Sequence, residues 1–273
     1  MDLKKVLYIS QEISPYVPAS DIADKSRDLA QGIQEKGFEV RTFMPKYGLI
    51  KERRNQLHEV IRLSGLNIEI DNSDHPLIIK VATLLPTRMQ VYFIDNEDYF
   101  LRTQTAPDLE IRLTPEDNDE RSIFFVRGVV ETVKKLRWDP GFIHCIGWVS
   151  ALAPMYLRRI YADDPTFTGS KIIYSLFSDK FDGTLDPRLA EKLLLEGFSK
   201  EDIAAIADKP VDWIALNKLA IDHADAIAQS SADIDPELLD YIEKSGKPFL
   251  PFSETDTPDR TDRFAAFYAS LQQ

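Results

Sequence analysis

A five-residue apolar run, Phe142 to Ile146, stands between two stretches of helical periodicity, and few folds accept that arrangement. Upstream, Ile123, Phe124, Val126, Val129, Val130, Val133 and Leu136 recur at spacings of three and four, the mark of a helix with one buried face. The breaker Asp139-Pro140-Gly141 separates that helix from the run, and Trp148 to Leu157 resumes the helical period. A short strand apolar on both faces and flanked by helices belongs in a parallel sheet covered by helices. Such sheets bind ligands at the carboxyl ends of their strands, which points to the turn Ile146-Gly147-Trp148-Val149-Ser150. That turn holds no acid, no base and no metal ligand.

The same alternation begins at the N-terminus. Lys5 to Ser10 reads as a strand buried on both faces, Asp21 as the cap of a helix carrying Ile22, Leu29 and Ile33, and Glu39 to Met44 as a second strand. Leu66 to Ile70, Leu77 to Leu85 and Met89 to Ile94 are closely spaced strands, expected as a hairpin or meander inserted in the parallel sheet. Lys171 to Leu176 and Ala224 to Gln229 are further strands. Pro187 to Ile206 reads as helical with a break near Gly197, and Val211 to His223 and Asp235 to Ser245 as helices. Arg260 to Leu271 is amphipathic, with Phe264, Phe267, Tyr268 and Leu271 on one face. With no repeat and no clear linker, the expectation is one α/β domain over 1–273, doubly wound around a mainly parallel sheet.

Composition excludes some partners. A formal net charge of -12 repels nucleic acid and anionic membrane surfaces, and no apolar stretch approaches a membrane span or a secretion signal. A lone cysteine, Cys145, inside a buried strand fits an inert thiol in a reducing compartment, so a cytoplasmic location is expected.

Candidate chemistry is sparse. The loop Gln11 to Ser20 occupies the place where doubly wound folds put phosphate-binding glycines, but it has none, and Asp21 would repel an anion. Glu12 and Asp24 are either a carboxylate pair at the first strand's exit or capping groups. Asp95, Asn96, Glu97 and Asp98 either bind a sugar hydroxyl or form a capped turn. Lys46, Lys51, Arg53 and Arg54 form a basic cluster, and the four histidines, His144 among them, lack metal-ligand spacing. No metal and no cofactor is expected.

Several of these stretches together resemble the N-terminal domain of bacterial glycogen and starch synthases, retaining glucosyltransferases that extend α-1,4-glucan from ADP-glucose. VLYISQEISPY from Val6 resembles the family's first strand and loop. Pro45-Lys46-Tyr47-Gly48 resembles its Pro-Arg/Lys-Tyr-Gly turn, and Val91 to Phe100 resembles its V-Y-F-I-D-N-x-x-Y-F segment. Asp117-Asn118 with Arg121, then Trp138-Asp139-Pro140 with Ile143-His144-Cys145, resemble the approach to its H-D-W-H motif. Ala151 to Leu157 and Lys218 to Asp225 resemble later helices. The implied fold is the Rossmann-like first half of a two-domain GT-B glycosyltransferase. Glu12 and Asp24 match carboxylates at its catalytic cleft, and Asp95, Tyr99 and Trp148 become sugar-binding candidates.

Departures from the pattern fall on the ligand loops. The family's K-x-G-G falls on Pro18-Ala19-Ser20-Asp21, so the lysine and both glycines are gone. H-D-W-H falls on Ile146-Gly147-Trp148-Val149, keeping only the tryptophan, and I-H-N near Ser175-Leu176-Phe177 is lost. A synthase's second Rossmann domain is not expected within these 273 residues. The resemblance therefore implies no confident catalytic residue here, and a protein catalytically incompetent alone that serves as a glucan- or partner-binding remnant. Its partner would be α-1,4-glucan, an enzyme of glycogen metabolism, or a second copy bound through an apolar-rimmed carboxyl-end face. Arg260 to Leu271 is an alternative cover for that face. The other reading is an active glucosyltransferase completed by a separate nucleotide-binding domain. Met1 and self-contained capping at both ends favour a natural short chain.

Overall fold

The computed structural model describes residues 4–101, 117–254 and 257–272. Its strands are β1 (Lys5–Ser10), β2 (Glu39–Pro45), β3 (His58–Glu59), β4 (Leu66–Ile70), β5 (Ser73–Leu84), β6 (Met89–Asp95), β7 (Phe142–Ile146), β8 (Lys171–Leu176), β9 (Ala226–Gln229) and β10 (Phe249–Leu250). The helices are α1 (Asp21–Glu35), α2 (Glu97–Phe100), α3 (Asn118–Leu136), α4 (Ala153–Arg159), α5 (Leu189–Leu195), α6 (Trp213–His223), α7 (Pro236–Ser245) and α8 (Thr257–Ser270).

The sheet order is β10-β9-β8-β7-β1-β2-β6-β5-β3, with β4 paired to β5. From β10 to β6 every pairing is parallel, whereas β5 runs antiparallel to β6, β3 and β4. The chain builds one side of the sheet from β1 through β6, and α3 then carries it across to β7 on the other side of β1. The order therefore reverses between β1 and β7, where doubly wound sheets open a crevice at the strands' carboxyl ends. The expected meander is the β4–β5–β6 segment, docked by a bidentate ion pair from Arg188 to Asp71 at the hairpin tip.

Central strands are contiguous apolar runs because both faces are covered: Val6, Leu7, Tyr8, Ile9, Phe142, Ile143 and Cys145 are fully buried. Burying each such large side chain contributes about 1.5–3 kcal/mol, so this register is strongly specified. Local structure departs from the sequence expectation where side chains compete for the backbone. Ser20, not Asp21, caps α1, because its extended backbone lets its hydroxyl accept from the N–H of Ala23. The segment after β7 is a 3₁₀ turn at Trp148–Ser150, and α4 begins only at Ala153, since Pro154 has no N–H to join an earlier ladder. Within 187–206 the helix is confined to α5, ended by Gly197 at φ +102°. The helix α8 does not close the carboxyl-end face. It lies beside α1 on the face of the sheet, where Phe264 and Tyr268, one turn apart, pack on Phe142 and His144.

Candidate functional site

At the crevice, the carboxyl ends of β1, β7, β8 and β9 bring Gln11, Glu12, Gly147, Trp148, Asp179 and Ser231 together with the first turn of α1. Glu12 is 0% exposed. One carboxylate oxygen accepts from the Ser20 hydroxyl at 2.7 Å and the other from the Gln11 amide at 3.2 Å. Gln11 returns its amide oxygen to the N–H of Val149 at 3.3 Å, and Tyr47 donates to the Gln11 carbonyl at 2.9 Å. Asp24 has a separate partner, accepting from Ser14 at 2.5 Å, and pairs with Arg27 at 3.6 Å. The two carboxylates thus sit at the same strand exit but in different hydrogen-bond sets.

Across the turn, one Asp179 oxygen accepts from the N–H of Trp148 at 2.9 Å and the other from the indole N–H of Trp213 at 3.2 Å. Gly147 stands between these groups at φ +80°, and a Cβ there would meet Ile22 at 2.7 Å, Gln11 at 2.9 Å and Asp179 at 3.0 Å. The turn is therefore filled from both sides by side chains of the chain itself. A small cavity of about 80 Å³ remains beside it, lined by Ser20, Asp21, Phe177, Ser178, Asp179 and Ser231. Of its two acidic members, Asp179 is held as above, and Asp21 pairs with Lys25 at 2.7 Å and accepts from Ser231 at 3.1 Å.

The sugar-binding candidates lie elsewhere or inward. Trp148 is 0% exposed, with its ring against Phe181 at 4.8 Å between centroids. Tyr99 is 3% exposed and donates to Glu120 at 2.9 Å, with His75 Nε2 also 2.9 Å away. Asp95 is buried and held by Lys80 at 2.8 Å, while Asn96 caps α2 through the N–H groups of Asp98 and Tyr99. Tyr47 and Tyr92 are buried as well. None of these rings presents a face on which a sugar could stack.

The basic cluster divides. Lys46 is buried and pairs with Glu52 at 3.0 Å, whereas Lys51, Arg53 and Arg54 are exposed. Lys80, bonded to Glu52 at 2.7 Å, holds that carboxyl below the usual range. The apolar members of the β1–α1 loop, Ile13, Tyr16 and Val17, are buried, so the carboxyl-end face does not carry the expected apolar rim at this loop. Among the described residues no group of three or more His, Cys, Asp or Glu could hold a metal ion, and no helix is long and apolar enough to cross a membrane.

Sequence reasoning did not single out Gln11, Asp179, Trp213 or Ser231. The available signal was position, since Gln11 follows β1 and Asp179 and Ser231 follow β8 and β9 at the crevice end.

Comparison with known proteins agrees with this architecture. The chain is 34% identical over 227 residues to a glycogen synthase of Chlorobium luteolum, covering 83% of this chain and 45% of that protein. It is 34% identical over 252 residues to a glycogen synthase of Chlorobaculum tepidum, covering 89% and 50%. The chain thus spans about half the length of the curated relatives it matches. The solved catalytic domain of starch synthase IV from Arabidopsis thaliana, bound to ADP and acarbose, superposes with a TM-score of 0.71 at 17% identity, covering 94% of this chain and 52% of that one. At that identity the likeness speaks to the fold. A profile of the starch synthase catalytic domain matches residues 5–249, and the chain belongs to that family.

Proposed function

We propose that this protein is a glycogen/starch synthase-like member of α-glucan metabolism that does not transfer glucose from ADP-glucose alone and acts by binding a protein partner, in the cytoplasm. The observation that carries this reading is the self-filled turn around Gly147. The N–H groups of Trp148 and Val149 donate to Asp179 and Gln11, and Glu12 is tied to Ser20 and Gln11. A ligand entering there would have to displace internal hydrogen bonds of buried groups, each about 0.5–1.5 kcal/mol net.

The residues that resemble the family's donor loop support the same reading. Ser20 and Asp21 stand where glycines would approach a diphosphate, and Asp21 adds negative charge at the start of α1. Val149 stands where a histidine would meet the sugar. Losing one preorganised contact of this kind typically lowers a rate on the order of a hundredfold or more, and several are absent together. Burial of Tyr47, Tyr92, Tyr99 and Trp148 favours a protein partner over a glucan as the bound species.

Calorimetric titration with ADP-glucose and, separately, maltoheptaose tests this. The expected result is no saturable heat with either at millimolar ligand. Saturable ADP-glucose binding overturns the reading in favour of a glucosyltransferase half completed by another polypeptide; maltoheptaose binding alone moves the ligand to glucan.

A further inference from the structure

Beneath α8 lies a polar chain that the crevice does not use. Tyr268, 0% exposed, shares a hydrogen bond with Tyr8 at 2.9 Å and lies 2.6 Å from Nδ1 of His144. Nε2 of His144 is 2.6 Å from the Ser175 hydroxyl, which accepts from Ser230 at 3.3 Å. The Ser230 carbonyl in turn accepts from Lys25, the partner of Asp21 at the crevice. A continuous line of hydrogen bonds thus runs from a C-terminal helix, beyond the residues the family profile matches, to the rim of the crevice.

We propose that α8 is a proton-sensitive latch: protonation of His144 releases the helix and loosens the crevice rim at Ser230 and Ser231 with it. Both imidazole nitrogens face neutral hydroxyls, those of Tyr268 and Ser175 at 2.6 Å each, so an imidazolium there would have no counter-charge among its hydrogen-bond partners. Its neighbours are Tyr8 on β1, Ser175 on β8, and Phe264 and Tyr268 on α8, all uncharged. Between α8 and α1 the Lys36–Asp262 pair, Asp28 and Glu35 line the outer groove, and Arg263 on α8 donates to the Pro251 carbonyl. Burial pushes the imidazole down to about 3. With α8 undocked the ring meets water and titrates near its ordinary value of about 6.5, so the open state gains the proton first as pH falls. From pH 7.5 to 5 the opening equilibrium should therefore rise about thirtyfold.

Amide hydrogen exchange on the full chain, corrected for the intrinsic pH dependence, reads this directly. The expected result is a coincident rise of about thirtyfold in residues 257–270 and at Ser230–Ser231 between pH 7.5 and 5, absent in His144→Gln. No rise, a rise in only one of the two segments, or a rise that persists in His144→Gln overturns the proposal. Tyr268→Phe keeps the ring and removes the hydroxyl, so it should loosen both segments together already at pH 7.5. Loosening of α8 alone overturns the link to the rim.

Discussion

Gly32 of α1 lies directly beneath Thr261 of α8, and a Cβ built on Gly32 would sit 2.8 Å from Cγ2 of Thr261 and closer still to its hydroxyl. Glycine here is the condition for the two helices to touch. In an open helix Gly→Ala adds about 0.5–1 kcal/mol of stability, but overpacking costs about 1–3 kcal/mol. Gly32→Ala should therefore destabilise the protein in urea denaturation, and Thr261→Ala in the same chain should remove more than half of that loss. A stabilised single variant would show that α8 does not rest on α1.

Gly147 combines a left-handed backbone with contact on three sides. Gly147→Ala should cost about 2–4 kcal/mol, from strain and overpacking together. Equilibrium unfolding checks this, and a loss below about 0.5 kcal/mol, the level of an ordinary surface change, would mean that Ile22 and Gln11 do not fill the turn.

Asp179 satisfies two buried donors, the Trp148 amide and the Trp213 indole. Asp179→Ala strands both and should cost about 2–4 kcal/mol, while Asp179→Asn, which keeps one acceptor, should recover part of it. Urea midpoints of the two variants against the parent decide the matter; equal losses would assign the cost to cavity formation rather than to hydrogen bonding.

Lys192 is 2% exposed at its side chain and meets Asp119 at 2.8 Å, Glu120 at 2.7 Å and Asp186 at 2.8 Å. Burial raises the Asp119 carboxyl above its ordinary value despite the lysine. An acid whose folded value exceeds its unfolded value takes up a proton on folding, so its contribution to stability grows as pH falls between the two. Asp119→Asn should accordingly be mild at pH 7 and should remove that acid-side gain, whereas Lys192→Met should lose about 3–5 kcal/mol by leaving carboxylates buried without their cation. Denaturation midpoints from pH 7 to 4 test both, and an Asp119→Asn loss as large as that of Lys192→Met would reverse the sign argued here.

Much of the sheet was legible in the sequence. β1, β7 and β8 have the bounds expected from their apolar runs, because a strand buried on both faces must be apolar nearly throughout, and β4 has the bounds expected of an alternating strand that buries Ile68 and Ile70 on one face. The two-residue edge strands β3 and β10 left no such mark, since an edge pair needs only a neighbour's free backbone and no side-chain pattern. The site was legible by position only. Glu12 and the turn at Gly147 were placed correctly at the strand ends, yet nothing local in QEISPYVPAS announces that Ser20 and Gln11 would bind both oxygens of Glu12.

The sequence by itself determined the α/β alternation, the parallel core and the family. These depend on periodicity and residue type, which act over a few positions along the chain. Only the tertiary structure decided that Tyr99 and Trp148 face inward, that Asp179 and Gln11 take the amides of the Gly147 turn, and that α8 joins His144 instead of covering the crevice. Each of those outcomes depends on pairing groups from distant strands and helices. A buried hydrogen-bond donor or aromatic ring takes whichever partner the packed sheet brings within reach, and that proximity is not written in any local stretch.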